Sequence, residues 1–152
     1  MNFLLQIIHN PSVICVLIAW NLAQFLKIPV QYMISHQWEW HLFFSPGGMP
    51  SSHSALVAAA ATAIGLFNGF DTPAFTIALA TAMIVIYDAA GVRRQAGYHA
   101  EKINLIIAEL FSGQQISEER LKEVIGHSPR QVFVGTVLGI LIALTVRLLW
   151  HM

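Results

Sequence analysis

Residues Pro50-Ser51-Ser52-His53-Ser54-Ala55-Leu56-Val57-Ala58-Ala59-Ala60-Ala61-Thr62-Ala63-Ile64-Gly65 decide how this chain is read. A short polar start gives way to an apolar run without charge, crowded with alanine and closed by glycine. Side chains this small let helix backbones approach closely in lipid, where no hydrophobic drive pulls helices together. The run, 55–70, falls short of the ~20 residues of a free-standing span. This run and the segment at 74–87, which is also short, are expected to gain their missing turns from polar ends packed inside a bundle.

Three further apolar segments lie to either side, at 13–26, 74–87 and 132–150. Gly135 and Gly139 form a G-x-x-x-G in the last of them, a second close-packing face that also leaves a homodimer open. Between residues 67 and 73, Asn68, Gly69, Asp71 and Pro73 predict a tight turn, so segments two and three should be antiparallel neighbours. Residues 1–10 carry no Lys or Arg and so lack the basic start of a secretory signal. They read as mature protein, either a surface helix or the start of a span. The polar region 93–130 contains Ile103, Ile107 and Leu110 at helical spacing beside Glu101, Lys102 and Glu109, which predicts an amphipathic helix along the interface. A shorter helix is expected after it, capped by Ser117 and stopped at Gly126.

Composition agrees with a membrane protein. Of 152 residues, 56% are hydrophobic and 11% charged, against about a quarter charged in soluble domains, and the mean hydropathy is +0.62. Eight basic and eight acidic side chains cancel, so no global field draws the chain to nucleic acid. The one cysteine, Cys15, excludes an intrachain disulfide. The expected architecture is therefore all-α: a single domain over 1–152, a polytopic membrane helix bundle of about four spans with an interfacial amphipathic helix.

If all four segments cross, one membrane face collects Lys27, the 47–54 loop, Asp88, Arg93, Arg94 and His127. Seven of the eight basic residues fall on that face and only Arg147 opposite, so the positive-inside rule assigns it to the cytoplasm. The second and fourth segments then start on the same side. Pro50, Ser51 and Ser52 precede one; His127 precedes the other, with Ser128 as N-cap and Pro129 at the first helical position. Two parallel helix N-termini present amides and positive dipole ends to one place, and an anion such as phosphate fits there.

Gly47-Gly48-Met49-Pro50-Ser51-Ser52-His53-Ser54 resembles the P-S-G-H signature of the type 2 phosphatidic acid phosphatase superfamily, related to acid phosphatases and vanadium haloperoxidases. Asp88-Ala-Ala-Gly-Val-Arg-Arg94 looks like that superfamily's divergent branch. His127-Ser-Pro-Arg-Gln131-Val, followed by Gly135 and Gly139, resembles the end of its final motif, H-x-P-x-[D/E]-V-x-x-G-x-x-x-G. The resemblance implies a phosphatase in which His127 attacks phosphorus to form a phosphohistidine and His53 protonates the leaving alkoxide. Arg93 or Arg94, with Lys27 and the amides around Ser51 and Ser52, would hold the phosphoryl oxygens. Asp88 and Gln131 would act behind them. The implied substrate is a phospholipid or polyprenyl phosphate, the implied partners are membrane lipids, and no cofactor or metal is implied.

The chain departs from the pattern at three places. In the wider superfamily the arginine and the nucleophile stand six residues apart, which keeps His99, six after Arg93, as the alternative to His127. Gln131 replaces an acid that would bond the nucleophile's second ring nitrogen; its amide oxygen can fix the tautomer but does not stabilise imidazolium as a carboxylate does. Lys27 is not followed by the superfamily's Arg-Pro pair. A non-catalytic lipid-phosphate-binding protein that retains the anion site is therefore the second reading. The aromatic stretch with His36, Trp38, Trp40 and His41 reads as an interfacial anchor.

Overall fold

A computed structural model describes residues 2–45, 47–110 and 128–150, and among them all regular structure is helical. A short helix α1 (Phe3–Ile8) precedes α2 (Pro11–Ser35), a 3-10 turn (Trp40–Phe44), α3 (Ser52–Asn68), α4 (Pro73–Ala90), α5 (Val92–Leu110) and α6 (Pro129–Leu149). Three of the long helices begin with the same local chemistry. Asn10, Thr72 and Ser128 each place a side-chain oxygen under the first amides of α2, α4 and α6, and proline follows each at the first helical position. There its missing N–H costs nothing and its fixed φ suits the helix.

Length and apolarity qualify α2, α4 and α6 to cross a bilayer, while α3, of 17 residues, is shorter; α4 departs from the short third segment expected, since it runs from Pro73 to Ala90 and buries only Ala82 and Ala89. The shortness of α3 follows from its position. α3 packs against α2, α4 and α6 and buries Ser52, Ser54 and seven small apolar residues. The expectation that its polar start packs inside the bundle is met. Outward-facing side chains are apolar instead: Ile77, Ile84 and Tyr87 of α4 and Phe133 and Leu148 of α6 are 68–76% exposed. Such a surface belongs in hydrocarbon, and the chain is an all-α membrane bundle.

The first span differs from its expected bounds. The apolar run stops at Leu26, before Lys27 and Pro29, yet α2 continues to Ser35 with Pro29 inside it. Membrane helices tolerate proline where neighbours satisfy the freed backbone, and Lys27 is buried by the fold, at 1% exposure. The helix ends at His36, in the left-handed region at φ 55°. Residues 1–10 do not form a span of their own, since α1 has six residues. The α3–α4 turn is found where expected, with Gly69 at φ 106° and Thr72 capping α4. The amphipathic helix is α5, with Tyr98, Ile103, Ile106 and Ile107 exposed beside Glu101 and Lys102. The expected helix between Ser117 and Gly126 lies outside the described residues.

Candidate functional site

The site is set by how closely α3 and α6 approach. At Gly135 an added Cβ would collide with the Ser51 carbonyl oxygen, and at Gly139 with that of Ala55. Both glycines of the G-x-x-x-G are therefore used within the chain, and this face is not available for the homodimer the sequence left open. Ser51 lies against Gly135, Ala55 against Gly139, and Ala59 against Ile142. Numbers rise together, so α3 and α6 run parallel. At their shared end the Ser51 N–H donates to the Gln131 carbonyl at 3.1 Å, joining the N-terminus of one helix to the first turn of the other.

α2 runs the opposite way along this pair. Cys15 packs with Ala63 and Ala143, and Ala19 with Ala59 and Ile142. Carried on by turns of four residues, Ala23 stands level with Ala55, and Lys27 level with Ser51. Lys27 Nζ donates to the Ser45 carbonyl at 2.7 Å, and its stem supports Gly48, which takes φ 88° over it. One of three ammonium donors is used, and no carboxylate pairs with the charge among the described residues. A second polar group was not anticipated from the sequence: Gln24, one turn before Lys27 and 6% exposed, has a buried Oε1 without a hydrogen-bond partner among the described residues. Its position inside an apolar run gave no signal, since only the fold shows which face is buried.

The first turn of α3 carries the other expected ligands. Ser51 Oγ accepts from the Ser54 amide at 3.3 Å and from the Ser54 hydroxyl at 3.0 Å, and all of Ser51, Ser52 and Ser54 are buried. The Ser51 amide is committed to Gln131, so the Ser52 amide is the one of this pair left without a partner among the described residues. His53 is half-buried in the same turn. Val57 and Ala61 of α3 pack on Ala82 of α4, with Val85 and Ile86 beside them, which brings Asp88 to the level of α3's first turns. Neither His53 nor Asp88 is without a partner.

Gln131 has a local task. Its Oε1 accepts from the Ser128 amide at 2.8 Å while Ser128 Oγ accepts from the Gln131 amide at 3.4 Å, a reciprocal capping box. The signal was Ser128-x-x-Gln131, the sequence signature of that cap. A carbonyl oxygen has two lone pairs, so this bond uses half of what the side chain can accept. Of the remaining candidates, Arg93 and Arg94 lie in the first turn of α5, with side chains outside what is described. His99 is exposed on α5, which packs against α4. His127 lies outside the described residues and adjoins Ser128, the N-cap of α6.

The family model described as "Divergent PAP2 family" matches residues 8–142, which include every one of these positions. The chain belongs to this family. A similar chain is the "Uncharacterized membrane protein YuiD" of Bacillus subtilis (strain 168), 35% identical over 153 aligned positions that cover 93% of this chain and 97% of that one. No solved structure matches. Membership gives a phosphatase-related membrane family, in agreement with the resemblance carried by the motifs around His53, Arg93 and His127.

Proposed function

We propose that this Divergent PAP2 protein is a metal-independent phosphatase of a membrane lipid phosphate, working at the cytoplasmic face of the cell membrane through a phosphohistidine. The observation that carries the reading is Lys27: a buried ammonium with no carboxylate beside it among the described residues, level with two parallel helix N-termini. A buried charge left uncompensated costs several kcal/mol, and helix N-termini add partial positive charge rather than relieve it. A phosphoryl dianion supplies the missing counter-charge and takes up the Ser52 amide as well.

In this scheme a ring nitrogen of His127 attacks phosphorus. The bond from phosphorus to the lipid oxygen breaks as His53 gives its proton to the leaving alkoxide. Water then attacks the phosphohistidine, His53 takes up the proton, and phosphate leaves. Arg93 or Arg94, Lys27 and the Ser52 amide stabilise the equatorial oxygens in both steps. Asp88, at the level of His53, acts on the histidine or an arginine. Phosphatidylglycerol phosphate, phosphatidate and polyprenyl diphosphate all fit a bundle whose outer surface is apolar. Phosphate release from each by purified protein, compared with His127→Ala and His53→Ala, tests the reading; equal release by the variants rejects it.

A second reading is favoured by the Gln131 cap. An amide stands where a carboxylate would support the imidazolium, so the site could bind a lipid phosphate without turnover. Lipid-phosphate binding with no release by the unaltered protein selects it.

A further inference from the structure

We infer that the membrane-facing side of α3 is a hydrocarbon-tail groove that begins at His53 and receives one chain of a lipid phosphate. α2 and α4 both pack on α3 but not on each other, which leaves a strip of α3 between them. A cavity of about 450 Å³ lies along the α3–α4 seam, lined by Leu56, Ala60, Ile64, Ala74 and Ile77 among others, and its lining is almost wholly apolar. A second cavity, of about 810 Å³, shares Ala60, Ile64 and Ala74 with the first and extends to Phe67 and Asn68, between α2 and α4. The shared residues make the two contiguous along α3, and we read them as one channel.

Its floor has a fixed relation to the candidate site. His53, Leu56, Ala60, Ile64 and Phe67 are spaced by three or four residues, which places them on one stripe of α3. The channel's cytoplasmic end is thus one helical turn from the histidine. At ~1.5 Å per residue the floor from Leu56 to Phe67 runs ~17 Å, slightly more than half of the ~30 Å hydrocarbon core. A tail lying in it reaches past the bilayer midplane. At the far end Gln6, His9, Asn10 and Asn68 line the wider cavity, so polar groups close the channel beyond Phe67. An apolar channel of this length, headed by a histidine at the phosphoryl site, suits a long hydrocarbon chain esterified to phosphate.

This inference rests on the reading of the site as one for lipid phosphates, and binding separates it from turnover. The test is retention of long-chain phosphatidate, polyprenyl phosphate and dihexanoyl phosphatidate by the purified full chain in native mass spectrometry, for the unaltered protein, Ala60→Phe and Ala74→Phe. Either phenylalanine obstructs the channel, and Ala74, exposed on the first turn of α4, accepts the larger ring if Ala60→Phe fails to fold. Retention of a long-chain lipid phosphate should fall by roughly tenfold, the equivalent of about two buried methylenes, with the dihexanoyl lipid unchanged. Whichever long chain shows the loss identifies the tail as diacyl or polyprenyl. Equal losses for long and short tails, or no loss for either, would overturn the groove even in a protein that hydrolyses every substrate; absence of hydrolysis with the selective loss intact would reject the phosphatase reading alone.

Discussion

The Ser51 amide donates to the Gln131 carbonyl across 3.1 Å, tying the start of α3 to the first turn of α6 although eighty positions of chain separate them. The glycines below that bond make it attainable, since Gly135 and Gly139 let the two backbones touch. Each side of the candidate site therefore depends on the other helix being in register.

Gly135→Leu should break that register. The new side chain meets the Ser51 carbonyl, which is backbone and has nowhere to retreat. Overpacking of this kind costs typically ~1–3 kcal/mol, and thermal unfolding in detergent should show a lower midpoint together with lost phosphate binding. Gly139→Leu should behave alike, one turn further in.

Lys27→Met keeps the stem under Gly48 and removes the charge. We expect inhibition by vanadate to weaken at least tenfold, about 1.4 kcal/mol of lost anion attraction, with the helix content by circular dichroism unchanged. Unaltered inhibition would show that Lys27 serves only to hold the Ser45 carbonyl.

The four apolar helices and the tight turn between α3 and α4 were legible because hydropathy and turn residues are local signals. The end of α2 was not legible in the same signals, although Lys27 does lie beside the 47–54 loop as its position predicts. A lysine and a proline near the end of an apolar run mark a helix end in most sequences, and the partner that takes up the buried Lys27 ammonium is a carbonyl at Ser45, eighteen residues on. Gly135 and Gly139 declared a close approach without naming its partner, and only the fold shows that partner to be Ser51 and Ala55. Gln131 belongs at once to a short-range capping signature and to a family motif, and the fold shows the first in its bond to Ser128.

His127→Ala should abolish turnover and the acid-labile phosphoprotein that rapid quenching with labelled substrate would trap, while His99→Ala leaves both in place. His53→Ala should slow release by about 10²–10⁴-fold, the usual contribution of a positioned acid. Loss of the trapped species in His99→Ala, with His127→Ala active, would transfer the nucleophile to α5.

Gln131→Glu tests what the amide costs. Glutamate keeps the capping box with Ser128 and adds negative charge at a helix N-terminus, which is stabilising by ~0.3–1 kcal/mol. If the absent acid limits the enzyme, phosphate release should rise with no loss of stability. A fall in release at unchanged stability would show glutamine to be the adapted partner.

The polar start of α3 has a bearing on biogenesis. When α3 has been synthesised and α6 has not, the Ser51 amide faces lipid or translocon without its acceptor, and the small-residue face that should lie on Gly135 and Gly139 is bare. The α3 end of the site is then completed only when α6 arrives, which reserves the paired helix N-termini for chains synthesised through that helix.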